Sequence, residues 1–185
     1  MAELLKRLRG VPDQLLHASR RRAALAALTT RRPPARVLVI CSGNLYRSPF
    51  AAAVLRRELA RHSLGEVLVE SAGFAGPGRR SPPHAVVAAA RWGVDLTDHT
   101  SQLAFADVVR AADLIVVMDD LHRRTIRERF GRGARDLLLL GDLDPEPVTS
   151  RAIEDPVQQG PEVCDRVFAR IERCVARLAK ALQSP

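Results

Sequence analysis

Apolar residues fall along this chain in short unbroken runs, separated by longer stretches in which they return every three or four positions. Val37 to Ile40, following Arg36, is the first run: four β-prone residues in succession, the pattern of a strand buried on both faces. Glu66 to Glu70 alternates as a second strand, Ala112 to Met118 reads as a third, and Asp136 to Leu140 as a fourth. Helical spacing fills the intervals, over Phe50 to Arg61, Pro82 to Arg91 with Trp92 near its end, and Asp119 to Phe130. In the last of these, Asp120, Arg123, Arg124, Arg127 and Glu128 mark a solvated face. A final helix carries Val163, Val167, Phe168, Ile171, Val175, Leu178 and Leu182 at the same spacing. Strands alternating with helices predict an α/β fold of three layers, a four-stranded parallel sheet flanked by helices. In such sheets a ligand binds outside the carboxyl ends of the strands.

The first run ends on Cys41, and the residues from there to Arg47 are small, polar or turn-prone. Gly43 is suited to a positive φ, and Asn44 can tie a turn through its amide. Ser48 and Pro49 then announce a helix, as N-cap and first helical residue. A loop wrapped in front of a helix N-terminus turns backbone N–H groups inward, where the helix dipole adds partial positive charge. A tetrahedral oxyanion fits there, the same field favours a thiolate at Cys41, and the planar fork of Arg47 can close over the anion. The bare spacing C-x5-R is weak, since Cys164 to Arg170 repeats it. That copy lies in the final helix without a glycine, so Cys164 and Cys174 read as buried thiols on an apolar stripe.

Charge alters the picture at one end. The chain of 185 residues has a net charge of +8. Residues 1–36 hold nine Lys and Arg against Glu3 and Asp13, a net of +7, which leaves about +1 for the rest. A basic extension over 1–35 therefore precedes a nearly neutral domain over 36–185. Leu4, Leu5 and Leu8, then Leu15, Leu16 and the run from Ala23 to Leu28, predict two short helices ending at Arg31 to Pro34. Three readings of this arm stay open: a solvated extension packing loosely on the domain, an electrostatic tether to an acidic partner, anionic lipid or nucleic acid, and a cleaved targeting segment. No stretch approaches the length that spans a membrane, and no repeat is evident. Three cysteines, one of them needed as thiolate, point to a reducing, cytoplasmic setting.

The loop CSGNLYRSP resembles the C-x-G-N-x-C-R-S-P signature of the low-molecular-weight protein tyrosine phosphatases. SAG at Ser71 to Gly73, GVDLTDH at Gly93 to His99, ADLIVVMD at Ala112 to Asp119 and EDP at Glu154 to Pro156 follow in that family's order, so the resemblance spans about Arg36 to Leu182. It implies a phosphatase that hydrolyses phosphotyrosine in proteins, with Cys41 as nucleophile and Arg47 as phosphate clamp. Ser42, Gly43, Asn44, Leu45, Tyr46 and Ser48 would form the phosphate cradle, with phosphate or sulfate as simple occupants. Ser48 would also hydrogen-bond the departing sulfur, while Ser71 and His99 support the loop from outside. A long acidic loop, Gly141 to Gly160, must supply a proton to the leaving oxygen. On chemistry alone Asp142, Asp144, Glu146, Glu154 and Asp155 all qualify; the family's Asp-Pro pair selects Asp155 as general acid and base. No metal or other cofactor is required by this scheme. Bacterial relatives often act on tyrosine-phosphorylated kinases, which makes such a kinase a candidate partner by analogy.

Departures from the family pattern bear on substrate. Tyr46 stands where a second cysteine is usual, so no disulfide with Cys41 forms at that place. Ala52 replaces a common acidic residue, and Ser101 a basic one. Val157, Gln158 and Gln159 follow Asp155-Pro156 where relatives place aromatic residues that flank the phosphotyrosine ring, leaving Phe74 or Tyr46 as replacement walls. Leu45 occupies a position where phosphoarginine-selective relatives tend to carry threonine, which leans toward phosphotyrosine. Two rivals are an arsenate reductase on the same fold, which needs two further cysteines near the site, and a phosphoprotein-binding module that has lost turnover. Nothing in the sequence speaks to oligomeric state.

Overall fold

A computed structural model describes residues 2–62 and 64–183, with side chains from Asp13 onward. Its sheet has four parallel strands, β1 (Arg36–Cys41), β2 (Leu68–Gly73), β3 (Leu114–Val117) and β4 (Leu137–Leu139), in the order β2-β1-β3-β4. The chain thus leaves β1 first to one side and then to the other. That reversal opens a crevice beyond the carboxyl ends of β1 and β3, where Cys41 and the residues after Val117 lie.

The helices are α1 (Ala2–Thr29), α2 (Arg47–Arg61), α3 (Pro83–Ala90), α4 (Ala106–Ala111), α5 (Asp120–Phe130) and α6 (Pro161–Leu182). Alternate strand residues serve opposite faces. Val37, Val39, Leu114 and Val116 pack with α2, α3, α6 and Leu28 of α1, whereas Leu38, Ile40, Ile115 and Val117 pack with Val109 of α4 and Ile126 of α5. Three layers result, and the unbroken apolar runs of β1 and β3 follow from burial on both sides. On α6, Val167, Phe168, Ile171, Val175, Leu178 and Leu182 are all buried, each contributing about 1.5–3 kcal/mol of transfer free energy. Phe168 stacks on Phe50 of α2 with ring centroids 4.0 Å apart, which joins α6 to α2.

Several elements differ from expectation. β2 begins at Leu68 and runs through Gly73, two residues later than the alternation placed it, because its register on β1 pairs Arg36 with Leu68. The short α4 was not anticipated; it has only six residues and one buried apolar side chain, Val109. The expected pair of N-terminal helices is a single helix, α1, through Gly10 and Pro12. Its inward stripe from Asp13 onward is Asp13, His17, Arg21, Ala24 and Leu28, largely polar, while Leu15 and Leu16 are 77% and 47% exposed. A count of apolar positions could not find that face. The side chains of Leu4, Leu5, Leu8 and the charged residues among them lie outside the described residues.

Candidate active site

β1 delivers Cys41 to the crevice and α2 begins at Arg47, so the connecting loop is five residues long. Its carbonyls are drawn outward by neighbouring segments. Ser42 O accepts from the N–H groups of Phe74 and Ala75 at 2.8 and 3.2 Å, Asn44 O from His99 Nε2 at 2.7 Å, and Leu45 O from Ser81 Oγ at 2.8 Å. Because C=O and N–H point opposite ways across a planar trans peptide, the amides of Gly43, Leu45 and Tyr46 are turned to the inside of the loop. The loop presses so closely on β2 that a Cβ on Gly73 would stand 2.8 Å from Asn44 N and from Ser42 O, which only glycine permits. The positive φ expected at Gly43 falls instead on Asn44, at 53°, where the buried amide side chain stabilises it.

That amide is the hub of the loop. Asn44 Nδ2 donates to Ser48 Oγ and Ser71 Oγ, both at 2.9 Å, and Asn44 Oδ1 accepts from Gln102 N at 2.8 Å. With its oxygen accepting from Asn44, the Ser48 hydroxyl proton is free to reach Cys41 Sγ at 3.0 Å, with Ala72 O at 3.3 Å as the alternative acceptor. Ser48 therefore does not cap α2 as its sequence position indicated. Tyr46 occupies the N-cap position without a side-chain cap bond, and the serine hydroxyl is committed to the sulfur. Since a carbonyl only accepts, His99 carries its proton on Nε2. Burial lowers the pKa of His99, the bond to Asn44 opposes that shift and Arg56 adds to it.

Arg47 is 2% exposed, and its guanidinium spans the crevice. It donates to Ile153 O at 3.0 Å and Ser42 Oγ at 3.2 Å, pairs with the Asp155 carboxylate, and has Asp119 Oδ2 at 3.7 Å. Asp155 also lies 3.4 Å from Ser42 Oγ, and its Oδ1 accepts from Val157 N at 3.2 Å. The other acids of the loop are engaged elsewhere. Asp144, fully buried, pairs with Arg170 and Arg173; Asp142 pairs with Arg151; Glu146 pairs with Arg173 and Glu154 with Arg166. Only Asp155 among them faces the cavity at Cys41.

That cavity, of about 310 Å³, is lined by Cys41, Ser42, Gly43, Leu45, Tyr46, Arg47, Ala75, Arg79, Asp155 and Val157. Phe74 is not among its walls; its ring tilts onto His122, 5.6 Å between centroids. Larger recesses of about 810 and 730 Å³ lie at the amino end of the sheet and beside α5, and neither contains a nucleophile. The Tyr46 hydroxyl stands 3.1 Å from His84 Nε2, and burial raises its pKa, with Cys164 and Asp155 adding to the shift. Cys164 and Cys174 are buried on α6, where burial pushes their thiols up to about 11 and about 12.

Three residues of the site escaped the sequence reading. His122, 2% exposed, places Nε2 3.0 Å from Ser42 Oγ and Nδ1 3.2 Å from Asp119 Oδ2. Burial lowers its pKa, Asp119 and Asp155 oppose the shift and Arg47 reinforces it. Its signal was slight: a histidine three residues into a helix whose N-cap, Asp119, follows the central strand. Arg79 reaches the cavity wall, donating to Gly76 O at 2.9 Å. Ser101 is buried, accepting from Arg79 N at 3.0 Å and donating to Gly76 O at 2.6 Å, so it fastens the turn that carries Arg79.

Residues 36–185 match the model of the low molecular weight phosphotyrosine protein phosphatase family. The chain belongs to that family. Among similar proteins, a probable low molecular weight protein-tyrosine-phosphatase, EpsP, of Ralstonia solanacearum is 33% identical over 140 residues, 75% of this chain and 90% of the relative. A protein-arginine-phosphatase of Bacillus subtilis is 31% identical over 150 residues, 80% of this chain and 96% of its own length. Among solved structures, the tyrosine phosphatase Wzb from Escherichia coli in complex with sulphate superposes with a TM-score of 0.69 at 29% identity, covering 80% of this chain and 97% of that one. The phosphatase fold of these relatives is the three-layer architecture described above. The family match begins at Arg36 and leaves α1 outside it.

Proposed function

We propose that this family member is a phosphatase of tyrosine-phosphorylated proteins, with Cys41, Arg47 and Asp155 as catalytic residues. The observation that carries the reading is their convergence on one cavity at the switch point of the sheet. The Cys41 thiolate attacks phosphorus as the P–O bond breaks, and Asp155 gives its proton to the departing oxygen. The amides of Gly43, Leu45 and Tyr46 and the Arg47 fork hold the equatorial oxygens, the phosphoryl group taking the place on Arg47 that the Asp155 carboxylate occupies here. Water then attacks the cysteinyl phosphate, Asp155 takes its proton, and the sulfur leaves as a thiolate held by Ser48. Ser71 and His99 act through Asn44, keeping the loop in shape.

The family includes relatives named for phosphotyrosine and for phosphoarginine. Leu45, Ala75, Val157 and the Tyr46 ring give the cavity apolar walls suited to an aryl group, and the Arg79 cation disfavours a charged guanidinium, which together support phosphotyrosine. The natural substrate is then a tyrosine-phosphorylated protein of the cytoplasm, a tyrosine kinase being one candidate, with phosphate or sulfate as small occupants of the loop. Residues 1–35 are then a basic extension on a catalytic domain of 36–185, and the exposed Arg22 and Arg32 suit an acidic partner or anionic surface. A panel of phosphotyrosine, phosphoserine and phosphoarginine peptides tests the assignment, phosphotyrosine being turned over fastest. Cys41→Ser should abolish turnover, and Asp155→Ala should slow it by about 10²–10⁴-fold while phosphate still binds. Unimpaired hydrolysis by both variants would overturn the scheme.

A further inference from the structure

Helix α1, outside the family match, packs on the loop that carries Asp155. Asp13, His17 and Arg21 project from one face of it at intervals of four residues. His17 Nε2 donates to Asp144 O at 2.9 Å in a buried contact. Arg21 donates to the same carbonyl at 3.3 Å and to Pro145 O at 2.7 Å, and Asp13 accepts from Arg151 N at 3.0 Å. All of these partners are main-chain groups of the loop, so the contacts fix the path of the chain itself.

The path continues to the site without a free stretch. Arg170 of α6 donates to Ser150 O and Ala152 O at 2.7 and 2.8 Å. Gly141 meets Arg151 so closely that a Cβ would fall 2.0 Å from its carbonyl oxygen, and the Arg151 guanidinium holds Asp142 at 3.0 and 2.5 Å. Ile153 N donates to Met118 O at 2.8 Å, Ile153 O accepts from Arg47, and Asp155 follows two residues later. The bonds from α1 thus fall on both ends of the Asp144–Arg151 excursion, four residues before the acid.

We propose that α1 is a positioning element for catalysis: Asp13, His17 and Arg21 hold the loop so that the Asp155 carboxyl reaches the leaving oxygen. This rests on the reading of Asp155 as the general acid. The consequence is selective. Thiolate attack and phosphate binding use Cys41, Arg47 and loop amides that α1 does not touch, and Ile153, whose carbonyl holds Arg47, keeps its own bond to Met118 O, so in the attack step a slackened loop impairs proton delivery.

The test compares phenyl phosphate, whose phenolate departs poorly without a proton, with 2,4-dinitrophenyl phosphate, whose phenolate departs unaided. Full-length His17→Ala, Arg21→Ala, His17→Gln and Asp155→Ala proteins are assayed, with rates referred to the fraction folded by circular dichroism. In His17→Ala and Arg21→Ala, kcat/KM for phenyl phosphate, which covers the attack step and not the later hydrolysis of the cysteinyl phosphate, should fall about 10- to 100-fold, while kcat/KM for the dinitrophenyl ester changes by about twofold or less. His17→Gln, which keeps an N–H donor, should recover most of the loss. If Asp155→Ala shows the leaving-group selectivity but the α1 variants lose both substrates equally, or neither, the positioning role is overturned and the acid assignment stands. If Asp155→Ala shows no selectivity, the acid assignment falls and the positioning role with it.

Discussion

At the scale of single residues, the environment of each cysteine separates three thiols that composition alone treats as equals. Cys41 has a hydroxyl at 3.0 Å and opens on a cavity shared with Arg47; Cys164 and Cys174 have apolar neighbours on α6 and raised pKa values. Iodoacetate at neutral pH should therefore add one carboxymethyl group, on Cys41, and inorganic phosphate should suppress it; peptide mass spectrometry reads both. Modification of Cys164 or Cys174 in the folded protein would contradict this packing. The placement of Cys41 was legible because strand, turn and helix signals all meet within a dozen positions. His122 was not, since what brings it to Ser42, 80 residues earlier in the chain, is the spatial adjacency of β1 and β3. Ser48 shows a third case: its position favours capping, and a bond to sulfur takes the hydroxyl instead.

At the scale of elements, the loop between β4 and α6 has the least regular structure and the most buried charge. Asp144 is completely buried between Arg170 and Arg173, at 2.9 and 2.8 Å. Asp144→Ala would leave Arg170 without a counter-charge and Arg173 with Glu146 alone, and should cost about 3–5 kcal/mol in urea unfolding at neutral pH. A loss below about 1 kcal/mol, typical of an exposed pair, would show that this cluster does not organise the loop. Period alone located β1, β3, α2 and α6, whose buried stripes are strong. It misplaced β2, whose start depends on register with β1, and it divided α1, whose inward face is hydrogen-bonding rather than apolar. It also left the loop acids equivalent, because pairing with arginines on α6 is a long-range event.

At the scale of the whole molecule, two histidines from opposite sides of the phosphate loop link its protonation to stability. His99 and His122 have folded-state pKa values below the ordinary 6.5, mainly through burial. Between the folded value and 6.5 the unfolded chain binds more protons, so stability is complete above about pH 6.5 and declines as pH falls below it. Urea midpoints should drop between about pH 7 and about pH 5, and His122→Gln should flatten part of that slope; a pH-independent midpoint would refute it. The sequence by itself determined the alternation of strands and helices, the cysteine at the end of β1 and the arginine six residues on, because hydrophobic period and turn chemistry are local properties of the chain. The family resemblance had already singled out Asp155 and His99; only the tertiary structure decided that His122 also touches the loop, which arginines hold the other loop acids and where α1 docks. Those outcomes depend on hydrogen bonds and ion pairs between residues more than 50 positions apart, or on which of several like charges finds a buried partner.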